Sequence, residues 1–145
     1  MPMTLTICFR QTRSRIRVRS VRLLLDTRIL IWLMEDNIRL NAEARKLITG
    51  ALEVFVSSAS AWEIAIKVRL GKLRIDIERL NLQVPQAGIG ELPITSSHAT
   101  ATSRLPLFHR DPFDRLLVAQ ALCEPMRLIT GDAVLCAYSE LVILV

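Results

Sequence analysis

From residue 21 onward, short apolar runs of strand length alternate with stretches whose apolar positions recur at helical spacing. Val21-Arg22-Leu23-Leu24-Leu25-Asp26 is an apolar run ending in a carboxylate, the pattern of a strand buried on both faces of a parallel sheet. Residues 29 to 34 continue as a helix. Residues 41 to 48 form another, with Asn41 as N-cap and Gly50 as stop signal. Residues 53 to 57 make a second strand. Ser58 or Ser60 then starts a helix over residues 61 to 70, closed by Gly71. A helix near residues 77 to 84 leads into a glycine-containing loop, and Leu92-Pro93-Ile94 reads as a short strand whose proline points to an edge position. Helices follow over residues 96 to 105 and from Asp111-Pro112, where Asp is the N-cap and Pro the first helical residue. Residues 127 to 130 are a strand, 133 to 138 a short helix and 141 to 145 a last strand.

Strands alternating with helices imply parallel β-α-β units with right-handed crossovers, and so a three-layer α/β/α domain with about five strands. A chain of 145 residues suits one such domain, or one domain with a short extension. With 51% hydrophobic and 23% charged residues, disorder is excluded for most of it.

Charge changes the picture of the first twenty residues. Arg10, Arg13, Arg15, Arg17 and Arg19 lie there without a single acid, so the net +5 belongs to a tail and residues 21 to 145 balance 14 basic against 14 acidic side chains. The tail's apolar residues 5 to 9 precede its arginines, the reverse of a signal peptide. Its arginine-rich, acid-free composition suits a presequence, but it sets no clear amphipathic face. No run approaches a membrane span, and the chain reads as cytoplasmic. Cys8, Cys123 and Cys136 lack C-x-x-C spacing and are odd in number, which argues against a disulfide framework or a zinc site; Cys123 and Cys136 read as small core residues.

Absences then narrow the chemistry. With five glycines the chain has no G-x-x-x-x-G-K-S/T or G-x-G-x-x-G loop to cradle a phosphate, and no G-x-S-x-G elbow. His98 and His109 lack a partner set for triad or His-rich metal chemistry, and His109 reads as a packing or loop hydrogen-bonding residue. Carboxylates remain. In open parallel sheets ligands bind at the carboxyl ends of the strands, where strand order reverses. Asp26 ends the first strand, Asp132 follows the strand containing Thr130, Glu63 lies in the helix after the second strand, and Asp114 is in the first turn of the helix before the Thr130 strand. Each also has a purely structural use: Asp26 as a cap, Glu63 as an i,i+4 partner of Lys67, Asp114 in a capping arrangement with Asp111, Asp132 as a turn residue. Brought together, such acids would repel and raise one another's pKa values, and a hard divalent cation such as Mg²⁺ relieves that repulsion.

Five segments together resemble a known family: Leu23-Leu24-Leu25-Asp26-Thr27, Ser57-Ser58-Ala59-Ser60-Ala61-Trp62-Glu63-Ile64-Ala65-Ile66-Lys67, Leu92-Pro93-Ile94, His109-Arg110-Asp111-Pro112-Phe113-Asp114-Arg115-Leu116-Leu117-Val118-Ala119-Gln120 and Leu128-Ile129-Thr130-Gly131-Asp132. The chain is similar to PIN domains, and more narrowly to VapC-type ribonuclease toxins of type II toxin–antitoxin pairs, over residues 21 to 145. The resemblance implies strand order 3-2-1-4-5 and a Mg²⁺- or Mn²⁺-dependent endoribonuclease. Its acidic quartet falls on Asp26, Glu63, Asp114 and Asp132, with Thr130 as a neighbouring polar residue. Asp26 and Asp114 would be the most direct metal ligands, with Glu63 and Asp132 holding metal, water or both. It further implies an RNA substrate, a small antitoxin whose C-terminal segment covers the acidic site, a homodimer, and no membrane.

One position departs: Arg28 stands where such toxins commonly have His or Asn after D-T. Its guanidinium could pair with a carboxylate, contact RNA phosphate, or face solvent at the helix start. Lys67, Arg69, Lys72 and Arg74 form one basic run, and Arg110 and Arg115 another, each open to phosphate contact or to a solvated face. Trp32 and Trp62 read as core or dimer contacts. Residues 1 to 20 are either absent from the native protein, with Val21 the true initiator, or a disordered basic extension that adds RNA affinity. Asp26-Thr27-Arg28 lacks the D-x-D of haloacid dehalogenase-type phosphatases, and the adjacent acid pair of receiver domains is missing. The competing reading is a non-catalytic PIN-like module that binds RNA or a protein.

Overall fold

The structure, a computed structural model, describes residues 21 to 145; the basic segment 1–20, with Cys8, lies outside the described residues. The elements are β1 (Arg22–Leu25), α1 (Thr27–Met34), α2 (Ala42–Gly50), β2 (Glu53–Ser57), α3 (Ser58–Arg69), α4 (Ile77–Gln86), β3 (Ile89–Leu92), α5 (Ser96–Ala101), α6 (Pro112–Cys123), β4 (Arg127–Thr130) and β5 (Val142–Leu144). Single 3₁₀ turns cover Thr102–Arg104 and Ala133–Ala137. All the strand pairs are parallel, and the five-stranded sheet runs β3-β2-β1-β4-β5, the order expected above.

β1 lies at the centre because it can be buried on both faces. Leu23 and Leu25 join Ile29, Ile64, Leu80 and Ile129 on one side, while Leu24 joins Leu117, Val118, Leu128 and Leu135 on the other. That division follows from the two-residue side-chain period of a strand. Leu23, Leu24 and Leu25 are at most 1% exposed, and each such side chain contributes about 1.5–3 kcal/mol by leaving water. Helices on both faces complete three layers.

Local structure departs from expectation where backbone chemistry overrides apolar pattern. The edge strand is Ile89–Leu92 rather than residues 92 to 94, because Pro93 has no N–H to donate and pairing with β2 stops at Leu92–Ser57. Gly90, expected in a loop, lies within this strand opposite Phe55; a Cβ there would sit 2.9 Å from the Phe55 ring, so the glycine leaves room for the aromatic side chain. α3 starts earlier than expected, with Ser57 as its N-cap and Ser58 and Ser60 inside it. The helix expected over residues 96 to 105 tightens at Thr102, where the Thr102 and Ser103 hydroxyls donate to the carbonyls of Ala99 and Thr100. Cys123, the last residue of α6, is exposed rather than in the core, whereas Cys136 packs half-buried against the Leu24 side of the sheet. Among the described residues no helix is long and apolar enough to cross a membrane.

Gly71 ends α3 as the sequence suggests, and with a specific geometry. Its φ is +69°, its N–H donates to Val68, and the N–H of Lys72 donates to Lys67, so one left-handed residue satisfies two terminal carbonyls. Gly71→Ala should therefore lower stability by about 1 kcal/mol, read as a reduced urea midpoint with an unchanged slope. An unchanged midpoint would mean that the cap contributes nothing.

Candidate active site

Register brings the first two site residues together. Leu25 pairs with Ile129, so Asp26 and Thr130 are neighbours at the carboxyl ends of β1 and β4, although 104 positions separate them in the chain. Asp26 is also the N-cap of α1: its Oδ1 accepts the amides of Arg28 (2.6 Å) and Ile29 (3.1 Å), where the positive end of the helix dipole favours a carboxylate. The capping use and the site position are therefore one arrangement. Thr130 Oγ1 donates to Asp26 Oδ2 at 2.5 Å and accepts the amide of Asp132 at 3.0 Å, so one hydroxyl sets the positions of two acids.

Glu63 comes from α3. Ala59, Ser60, Glu63 and Ile64 face inward at helical spacing, which carries the carboxylate to the end of the sheet. The Thr27 hydroxyl contacts Glu63 Oε2 at 2.6 Å and Ser60 Oγ at 2.9 Å; having one hydrogen, it donates to the carboxylate and accepts from the serine. Lys67 Nζ pairs with the other Glu63 oxygen, so the expected i,i+4 pair is present within the site. Asp114 stands in the first turn of α6, opened by Asp111 as N-cap and Pro112 as first residue. Asp132 caps the 3₁₀ turn that follows it through the Val134 amide, 2.9 Å from Oδ1.

All four acids line one cavity of about 380 Å³ together with Asp111, Trp32, Arg28, Arg39, Lys67 and Lys72. Burial, then the charges of Asp111 and Asp26, push the Asp114 carboxyl up to about 6; His109 opposes the rise and Glu63 adds to it. An assembly of carboxylate oxygens whose negative charge is only partly compensated fits a hard divalent cation, which takes oxygen ligands and would relieve this repulsion. Arg28, Arg39 and Lys72 are exposed and form no ion pair among the described residues, so these three cations border the acidic floor.

Residues 23–141 match the family model of the PIN domain. The chain belongs to the PIN domain family. Within it the chain is of the VapC type: Ribonuclease VapC22 of Mycobacterium tuberculosis is 32% identical over 111 residues, 75% of this chain and 85% of that one. Solved structures share the PIN fold. The crystal structure of VapBC2 from Rickettsia felis bound to a DNA fragment from their promoter has TM-score 0.64 at 14% identity, covering 86% of this chain and 98% of that chain. DNA-bound VapBC from Salmonella typhimurium gives TM-score 0.59 at 15% identity, covering 86% and 97%.

Two neighbours of this PIN-domain cavity were not among the candidates drawn from sequence. His109 Nε2 is 3.0 Å from Asp132 Oδ2 and 3.5 Å from Asp114 Oδ2, and Asp111 lines the cavity beside Asp114. The available signal is the spacing in His109-Arg110-Asp111-Pro112-Phe113-Asp114, which places an imidazole just ahead of a capped acidic turn. Arg115, grouped above with phosphate-binding candidates, is committed elsewhere. Its guanidinium donates to the carbonyls of Pro106 (2.7 Å), Thr102 (2.9 Å) and Leu105 (3.2 Å) and to the Tyr138 hydroxyl (3.1 Å). Trp62 is 60% exposed and meets Phe113 edge-on, whereas Trp32 is half-buried in the cavity wall.

Proposed function

We propose that this PIN domain is the toxin of a type II toxin–antitoxin pair and hydrolyses RNA phosphodiester bonds with Mg²⁺ or Mn²⁺. The observation that carries the reading is the convergence of Asp26, Glu63, Asp114 and Asp132 on one cavity, with Asp114 pushed up to about 6. The ribonuclease name of the 32% identical relative and the VapBC complexes among the structural relatives support it.

In this reading Asp26 and Asp114 hold the cation most directly, with Glu63 and Asp132 holding cation, water or both. A cation bound there supplies an activated water and offsets charge on the scissile phosphate. The protein's own groups keep the acids ready. Thr130 and two α1 amides orient Asp26, while Thr27 and Lys67 engage both oxygens of Glu63. Arg28, Arg39 and Lys72 draw the flanking phosphates of the RNA towards a floor that would otherwise repel them. The proposed partner is a small antitoxin whose C-terminal segment covers the cavity. The toxin acts as a homodimer in the cytoplasm, and residues 1 to 20 are a basic extension outside the catalytic domain.

Purified full-length chain incubated with single-stranded RNA should cleave it only when Mg²⁺ or Mn²⁺ is added, and Asp26→Asn should abolish the cleavage. Absence of metal-dependent cleavage that Asp26→Asn removes would return the chain to a module that only binds. The rim is tested separately with the Asp26→Asn variant. Each of Arg28→Ala, Arg39→Ala and Lys72→Ala should weaken RNA binding and flatten the dependence of log affinity on log salt by roughly 0.7. Three unchanged slopes would place the RNA elsewhere.

A further inference from the structure

His109, Asp114 and Asp132 each bring one ligand-type atom within 4.8 Å of the others, an arrangement that at first sight offers a cation one nitrogen and two oxygens. The hydrogen bonds around the imidazole exclude that use. The Asp111 amide donates to His109 Nδ1 at 3.0 Å, so Nδ1 presents its lone pair to the backbone and the ring hydrogen sits on Nε2. Nε2–H then donates to Asp132 Oδ2 at 3.0 Å, with Asp114 Oδ2 alongside at 3.5 Å. For Nε2 to ligate a cation, the hydrogen would have to move to Nδ1, where it would face the Asp111 N–H across 3.0 Å with two donors and no acceptor. The main chain of His109 is fixed as well: its amide donates to the Tyr138 hydroxyl at 2.9 Å, and Arg115 reaches its carbonyl at 3.5 Å.

We propose that His109 is a positioning residue, a fixed hydrogen-bond donor that aims Asp132 into the cavity beside Asp114, and that it does not ligate the cation. This goes beyond the proposed function and, for its effect on cation binding, rests on it. The Val134 amide holds Asp132 Oδ1 and His109 holds Oδ2, so the carboxylate has a single orientation before any cation arrives. Donors behind ligating groups act in this way, and losing one typically weakens metal binding about 10–100-fold. The cation then meets oxygen ligands alone, so the site has no nitrogen with which to favour Mn²⁺ over Mg²⁺.

Two measurements on the full chain test this. In metal-free ¹⁵N-labelled protein, long-range ¹H–¹⁵N correlations should show His109 with its hydrogen on Nε2, the signals being assigned by their loss in His109→Gln. A hydrogen on Nδ1 overturns the proposal. Mn²⁺ binding followed by electron paramagnetic resonance, with Mg²⁺ as competitor, supplies the second. His109→Ala should weaken Mn²⁺ and Mg²⁺ equally, by about 10-fold or more, and His109→Gln, which restores a donor, should recover most of the loss. Unchanged affinity in His109→Ala, or a loss selective for Mn²⁺ that Gln does not restore, overturns it. If the wild-type chain binds no Mn²⁺, the metal reading of the proposed function fails, while the metal-free tautomer still decides the role of His109.

Discussion

Asp114→Asn is expected to abolish metal-dependent RNA cleavage and, at the same time, to make the metal-free protein more stable at pH 7. Both effects come from one carboxylate. Its pKa in the folded protein is raised to about 6 by burial and by the charges of Asp111 and Asp26, against an ordinary value of 3.8. Between these two values the folded state binds a proton that the unfolded state has released, so stability falls as pH rises from about 4 to about 6 and is level above that. At pH 7 the ionised group destabilises the metal-free fold by on the order of 1–3 kcal/mol. Asparagine keeps the shape and removes the charge, so thermal unfolding in chelator should occur several degrees higher at pH 7 and unchanged at pH 4. In the proposed function the same substitution replaces an anionic ligand of the cation by a neutral amide, an electrostatic loss of several kcal/mol, or roughly 10²–10³-fold in rate. Equal stability of the two proteins at pH 7 would show that the acids do not strain the fold. Added Mg²⁺ or Mn²⁺ should raise the melting temperature of wild type and leave the variant nearly unmoved.

The second large effect lies outside the acids. Arg115→Ala removes donors to the carbonyls of Thr102, Leu105 and Pro106 and to the Tyr138 hydroxyl, and with them the anchor of the segment that leads into His109. Hydrogen bonds to a charged donor contribute about 1.5–3 kcal/mol each, reduced here by partial exposure, so a loss of roughly 2–4 kcal/mol is expected. Lysine should not rescue it, because a point charge cannot replace a planar fork that reaches several carbonyls at once. Chemical denaturation measures the loss, and limited proteolysis should find new cleavage between residues 102 and 110. An Arg115→Lys variant as stable as wild type would sink this account. Arg115 would then rejoin Arg110 as a candidate for phosphate contact.

Much of this was legible in the chain because it rests on local chemistry. The short apolar Leu23-Leu24-Leu25 run ending in Asp26 has the pattern of a strand buried on both faces, and Asn41, Asp111-Pro112 and Gly71 punctuate helices through their own backbone preferences. That Asp26 and Asp132 flank the switch point, with Glu63 approaching from the next helix, followed from their positions along the chain, whereas Asp114 depended on the path of its loop and was legible through the family resemblance. What escaped depends on partners distant in sequence. Gly90 belongs to β3 because of Phe55, and Trp62 stays exposed because its edge contact is Phe113 rather than the core. His109 is placed by Tyr138 and Asp111 together, and nothing in its own neighbourhood announces Asp132 as its acceptor.

The hydroxyl of Thr130 that joins Asp26 to Asp132 also sets a schedule. Asp26 is synthesised 104 residues before Thr130, so until β4 is made the first acid has neither its threonine nor Asp132. Pairings of such long range form late, after loop closure has been achieved. A nascent chain therefore carries the components of the cavity without the cavity, and any activity it supports begins only once the C-terminal third has folded back onto β1.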